Sequence, residues 1–310
     1  VLLRSLRQYV GEDVCSLDAI VTVSDDGGSS GRLRRDFGVL PPGDIRNCIA
    51  ALADDEDLLV RLFQYRFAGG DGLSGHSFGN LLLTALTGIT GSFYEAILTA
   101  ESILSVRGRI LPATLSDVRL RAEGVSGKIY EGESAIGHAG EAIERVILEP
   151  SSPQPFPPAI AALREADVVV VGPGSLYTSL LPNLLIPGIR DLLRERKLPV
   201  VLVMNLMTQP GETDGMMALE HLRALEDHTG GGLIDTVLVN SKPLPDDLLA
   251  YYSDAGSEPV RWTTEELESR GLEVVEADLL AEGDLIRHDP DKLSRAVRNL
   301  LSGGPCDDES

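Results

Sequence analysis

The chain has 310 residues, 43% hydrophobic but only 5% aromatic, enough for one large aliphatic core or two smaller ones. Its formal net charge of −21 is the wrong sign for a protein whose main task is gripping nucleic acid or an anionic membrane. Its longest apolar runs, such as Val168–Val171 and Val200–Met204, fall far short of the ~18 residues a membrane span needs.

The first residue is Val, inside a helical pattern over Val1–Tyr9, so residues upstream are expected to be missing. No apolar run before a small-residue cleavage site marks a signal peptide. Cys15, Cys48 and Cys306 lack metal-ligand spacing, and an odd number argues against a disulfide framework. A reducing compartment, the cytoplasm, is expected.

The β-branched run Asp18–Val23 predicts a buried strand. It leads into a polar loop over 24–35, with Asp25, Asp26, Gly27, Gly28, Ser29, Ser30, Gly31 and Arg32. Glycines let backbone N–H groups approach a phosphate, and the serines and arginines add donors and charge. Paired carboxylates at a strand end suit Mg²⁺ or a ribose hydroxyl. A flexible polar loop is the plain alternative.

Next, Asp44 reads as the N-cap of a helix over Ile45–Ala53, with Arg46 and Asn47 in its first turn. A cation there opposes the helix dipole, a conflict that a bound anion would remove. His76 and Asn80 stand at the start of an apolar helix over Leu81–Leu86. His76 suits a phosphate contact, acid–base work or a simple cap.

Residues 108–150 hold short alternating segments, Arg119–Ala122, Lys128–Glu131 and Arg145–Leu148, and predict a small β-rich insert. The five prolines of Pro150–Pro158 predict a linker back to the main sheet. Strand Asp167–Val171 leads into Gly172, Gly174 and Ser175, a phosphate or sugar cradle without the lysine of a P-loop. Asn183 stands ready to cap the helix that follows.

Strand Pro199–Asn205 leads into Asn205, Thr208 and Gln209, with Glu212 and Asp214 suited to capping a helix over Met216–Glu226. Asp235–Asn240 is a further strand. Later, Tyr251 and Tyr252 lie on a helix ending near Gly256, and Arg287, His288 and Asp289 precede a last helix opened by Pro290. HExxH, CxxC and GxSxG are absent, which removes the usual support for zinc hydrolase, thiol-redox and serine hydrolase chemistry.

The strand–loop–helix rhythm predicts an α/β fold with a Rossmann-like, doubly wound, mostly parallel sheet and a small β-rich insert. Residues 1–107 and 151–301 would form the two parts of the core, 108–150 the insert and 302–310 a disordered tail.

The segments IVTVSDDGGSSGRLRRDFG, PPGDIRNCIAAL, FQYRF, GHSFGNLLLTALT, RGRILPATL, GPGSLYTSLLPNLLIPGI, NLMTQPGETDG, VLVNS and IRHDPDKL closely resemble the gluconeogenesis factor (YvcK-like) family. These proteins are relatives of 2-phospho-L-lactate transferase (CofD), and the resemblance runs from Val1 to about Leu301. It implies a Rossmann-like core with a nucleotide site at the strand ends. The YvcK-like branch implies binding of UDP-sugars, UDP-N-acetylglucosamine in particular, and a regulatory role linking carbon metabolism to cell-wall synthesis and cell shape. Tyr251 and Arg287 carry over as UDP-sugar contacts.

The transferase branch implies Mg²⁺-dependent transfer of a phospholactyl group from a guanylylated donor to a deazaflavin, with Asp25 or Asp26 on the metal. The loops here resemble the regulators more. Family members begin with a strand and a GGGTGLS loop that this sequence lacks, so the sheet is expected to have an open edge or gap. A homodimer is expected from family analogy and from the apolar helices Leu81–Thr87 and Ile186–Leu193. Nucleic acid and membrane insertion are not expected.

Overall fold

The computed structural model describes residues 1–53, 58–195 and 198–300. The chain opens with α1 (Leu2–Leu6), a 3₁₀ turn and β1 (Asp18–Val21). Five helices follow, α2 (Gly28–Phe37), α3 (Gly43–Leu52), α4 (Leu58–Gln64), α5 (Phe78–Thr90) and α6 (Phe93–Ile103). Then come β2 (Arg109–Pro112), β3 (Arg119–Gly124), β4 (Ile129–Glu131), α7 (Glu133–Ile136) and β5 (Ile143–Glu149). α8 (Pro157–Glu165) returns the chain to β6 (Val169–Val171), a wide π turn (Leu176–Leu180), α9 (Leu181–Leu184), α10 (Pro187–Glu195) and β7 (Val200–Val203). The last elements are α11 (Ala218–Thr229), β8 (Thr236–Asn240), α12 (Asp246–Asp254), α13 (Thr264–Glu268), β9 (Glu273–Ala277) and α14 (Pro290–Leu300).

Every strand pair of the core is parallel, as expected of continuous Val-rich runs buried on both faces. In β7, Val200 and Leu202 pack towards α9 and α11, whereas Val201 and Val203 pack towards α14. β1 and β2 bury Val21 and Ile110 against Ile49 of α3, Leu83 of α5 and Ile97 of α6. The core is thus an α/β fold with a four-stranded sheet β6-β7-β8-β9 and a two-stranded sheet β1-β2. Among the described residues β1 pairs only with β2, and β6 only with β7. Ile20 of β1 nevertheless packs against the core that holds Val171 of β6.

The insert is an antiparallel sheet of order β4-β3-β5. Its inward residues Leu120, Ala122, Val146 and Leu148 share one core with Leu181 and Leu184 of α9. The expected insert range also covered β2, which belongs to the core because it pairs with β1.

Two expectations change at element ends. Residues 28–37, read as part of a polar loop, form α2, with Leu33 its single buried large apolar side chain. Pro157 and Pro158 lie in the first turn of α8, where no backbone donor is needed. Residues 302–310, expected as a tail, lie outside the described residues. Among the described residues no helix is long and apolar enough to cross a membrane.

Ile110 is 0% exposed at the centre of the β1–β2 core. Ile110→Ala is expected to cost about 2–5 kcal/mol through the cavity it leaves. Urea unfolding checks this, and an unchanged midpoint would contradict the packing described.

Candidate functional site

β2 extends one parallel sheet from β1 and β7–β9 extend the other from β6, with Ile20 of β1 packed on the core that holds Val171 of β6. Ligands of open α/β sheets bind outside the carboxyl ends of the strands at such a switch point. The loops after β1, β6 and β7 meet there around a cleft of about 670 Å³. Of the residues expected at the site, Asp25, Ser175, Thr208 and Gln209 line it.

The insert supplies one wall. Asp26 accepts the backbone N–H of Ser134 at 3.2 Å, and Ser24 Oγ donates to Glu133 Oε1 at 2.8 Å. Gly132 has φ +85°, and a Cβ there would strike the Asp26 carboxylate, so only glycine allows this docking. Asp25 accepts the N–H of Gly27 at 2.8 Å, which tightens the turn before α2. Burial, and then the nearby Asp44, push the Glu133 carboxyl up to about 9. Burial, and then Asp25, push Asp44 up to about 6. Sequence reasoning missed Glu133 and Ser134, since they follow an ordinary short strand in the insert.

The opposite wall follows β6 and β7. Gln209 Nε2 donates to Ser175 Oγ at 2.8 Å. Glu212, expected to cap the helix after it, instead accepts the N–H groups of Tyr177 at 2.7 Å and Thr178 at 3.3 Å. Burial raises its carboxyl above the usual range. Thr208 bridges to Glu258, accepting its N–H at 2.8 Å, so its hydroxyl braces the wall. Asn183, expected as a cap, lies within α9 and donates to the Ser179 carbonyl at 2.9 Å.

Tyr252, rather than Tyr251, lines the cleft; Tyr251 is 68% exposed. The Tyr252 hydroxyl accepts the N–H of Ile286, which also lines the cleft, at 3.2 Å. Arg287 is exposed beside it. His288 is buried with Nε2 on the Met204 carbonyl at 3.2 Å, and burial lowers its pKa to about 4. Asn205 donates to the Gly174 carbonyl at 2.9 Å and lines a neighbouring pocket of about 520 Å³. Gly172 and Gly174 form the turn between β6 and Ser175.

Arg32, Asp44, Arg46, Asn47, His76 and Asn80 do not line the cleft; they stand on the β1–β2 side. Asp44 is inside the first turn of α3, whose N-cap is Pro42. Ser77, not His76, caps α5, accepting from the N–H of Asn80. His76 Nδ1 meets Ser29 Oγ at 2.9 Å, and burial followed by Arg32 lowers its pKa. Among the described residues no three Asp, Glu, His or Cys side chains stand together as ligands of a metal ion. Asp25 and Asp26 each accept a backbone amide through Oδ1, from Gly27 and Ser134 respectively.

Over residues 1–280 the sequence matches the family described as 2-phospho-L-lactate transferase CofD. The chain belongs to the CofD family. Within it, the gluconeogenesis factor of Bacillus subtilis is 47% identical over 302 residues, which cover 97% of this chain and 94% of that protein. A Nostoc sp. relative is 50% identical over 305 residues, 97% of this chain but 66% of that longer protein. The crystal structure of a Bacillus halodurans member of the UPF0052 family superposes with a TM-score of 0.91 at 46% identity, covering 96% of this chain and 94% of that one.

In this CofD-family fold Glu133 and Asp44 both hold their protons more tightly than in the unfolded chain. The folded state therefore binds extra protons between the ordinary Glu value of 4.5 and about 9, and stability falls as pH rises through that window. Thermal melts from pH 6 to 9 should decline less steeply for Glu133→Gln than for the wild type. Parallel declines would show that Glu133 is not held protonated.

Proposed function

We propose that the protein binds a nucleotide sugar, with UDP-N-acetylglucosamine as the preferred ligand. It would act as a regulator linking carbon metabolism to cell-wall synthesis and cell shape. The observation that carries this reading is the cleft at the switch point, whose volume suits a ligand of that size. Its polar groups match a sugar: Asp25, Glu133, Ser175 and Gln209 offer donors and acceptors for hydroxyl and amide groups. Tyr252 offers a ring for packing against a planar or apolar face. The contact set comprises these residues, with the Gly27–Arg32 and Gly172–Ser175 turns flanking them and Arg287 at the rim. The name of the Bacillus subtilis relative supports the regulatory reading.

One observation favours a second reading, phospholactyl transfer from a guanylylated donor to a deazaflavin. Glu133, whose carboxyl burial raises to about 9, lines the cleft with Asp25, and a carboxyl that keeps its proton at neutral pH suits general-acid chemistry.

Calorimetry with UDP-N-acetylglucosamine, UDP-glucose, GDP and GTP, with and without Mg²⁺, separates the two. Selective UDP-sugar binding without turnover is the expected result. Preference for a guanine nucleotide, or product formed with a deazaflavin acceptor, would reverse it. Tyr252→Ala should weaken UDP-N-acetylglucosamine by roughly 3- to 10-fold, the scale of one lost aromatic contact. Unchanged affinity in Arg287→Ala would remove Arg287 from the rim.

A further inference from the structure

On the β1–β2 side of the switch point three helix N-termini converge. Ser29 in the first turn of α2 meets His76, next to the Ser77 cap of α5. Asn80, in the first turn of α5 and 3% exposed, donates to Ser30 of α2 at 3.4 Å, and its Oδ1 is buried without a partner. Gly43 opens α3 so close to this point that a Cβ would strike Ser30 Oγ and the Asp25 carboxylate. The three helices have 10, 10 and 13 residues, so each presents a developed positive dipole end.

Arg46 crosses this junction. Its Cγ and Cδ lie against Gly79, where an added Cβ would stand 2.9 Å from each. It sits in the first turn of α3 and against the first turn of α5, where a cation opposes both dipoles. Burial first, and then the charge of Arg66, lower its pKa. Arg46 donates to Asn47 Oδ1 at 2.6 Å and Arg66 to the Gly75 carbonyl at 2.7 Å. Arg46 Nε is buried without a partner.

Among the described residues, neither guanidinium forms an ion pair, although the chain carries a net charge of −21. Arg32 approaches from α2, held by the Ser74 carbonyl at 2.8 Å. Asp44, in the same first turn of α3, and Asp25 partly offset the charge of Arg46. Among the described residues, those that line the cleft include Asp25, Glu133 and Glu212 but no Lys or Arg.

We propose that Arg46 and Arg66, with the N-termini of α2, α3 and α5, form a phosphoryl-binding subsite beside the cleft. Forked guanidinium donors match phosphate oxygens, and helix N-termini accept the same charge. The phosphoryl group has two candidate sources, a separate phosphorylated small molecule or the bound nucleotide sugar. The subsite does not depend on the nucleotide-sugar reading, because it can be titrated with inorganic phosphate alone.

Titration of the full chain with inorganic phosphate at low ionic strength, read by calorimetry and ³¹P line broadening, tests this. Saturable binding is expected, weakened roughly 10- to 100-fold in Arg46→Gln and Arg66→Ala, the scale of one charged hydrogen bond. Arg66→Lys should recover part of the loss. Arg35→Ala, an exposed arginine further along α2, should bind phosphate as the wild type does. Thermal melts check that Arg66→Ala folds, as the exposure of Arg66 predicts. Absence of binding in the wild type, equal affinity in all variants, or an equal loss in Arg35→Ala would overturn the proposal. Repeating the titration with saturating UDP-N-acetylglucosamine separates the sources: displacement assigns the subsite to the nucleotide sugar, and undiminished binding assigns it to a second ligand. If UDP-N-acetylglucosamine does not bind while phosphate does, the nucleotide-sugar reading fails and the subsite stands.

Discussion

Asp26 accepts a hydrogen bond from the backbone N–H of Ser134, and through that contact the insert becomes part of the core. The bond holds the turn after β1 against the start of α7. Gly132 leaves the room, and Ser24 adds a second tie through Glu133. Glu133 and Ser134 thereby form a wall of the cleft. Without this contact the acidic turn would face solvent, and the cleft would be bounded mainly by the loops after β6 and β7.

Strand direction accounts for the rest of the site. Parallel strands bring the loops that follow them to one end of the molecule, and reversal of strand order leaves space between two of those loops. The filling of that space divides by charge. The cleft side gathers Asp25, Glu133 and Glu212, and burial raises the Glu133 and Glu212 carboxyls. The β1–β2 side gathers arginines at helix N-termini. In a chain with a net charge of −21, arginines such as Arg46 and Arg66, which form no ion pair among the described residues, are the less expected of the two. Its position beside the acidic turn gives the molecule a polar axis across the switch point.

Much of this was legible in the residues. Val-rich runs predicted β1, β6, β7 and β8, because burial on both faces removes alternation and leaves a continuous apolar signal. β9 was missed, with Glu273 and Glu276 interrupting its apolar run. α2 was missed as well, because its Gly- and Ser-rich opening and arginines read as a loop, and Leu33 is its one buried large apolar anchor. Tyr251 and Tyr252 are adjacent in sequence, yet a helix turns successive side chains by about 100°, so only Tyr252 reaches the cleft. Glu212 fitted a local capping role, and its actual partners are the amides of Tyr177 and Thr178 on another loop.

By itself the sequence determined the α/β class, the family, the insert and the polar loops that follow the strands. These depend on local composition and on motifs contiguous along the chain. Only the tertiary structure decided that Glu133 and Ser134 face the acidic turn, that Tyr252 and not Tyr251 lines the cleft, and that Arg46 of α3 lies against Gly79 at the start of α5. The Asp26–Ser134 contact joins positions 108 residues apart and uses a backbone amide as donor. Every residue except proline carries such an amide, so no side-chain pattern announces the partner, and the fold alone brings it into place.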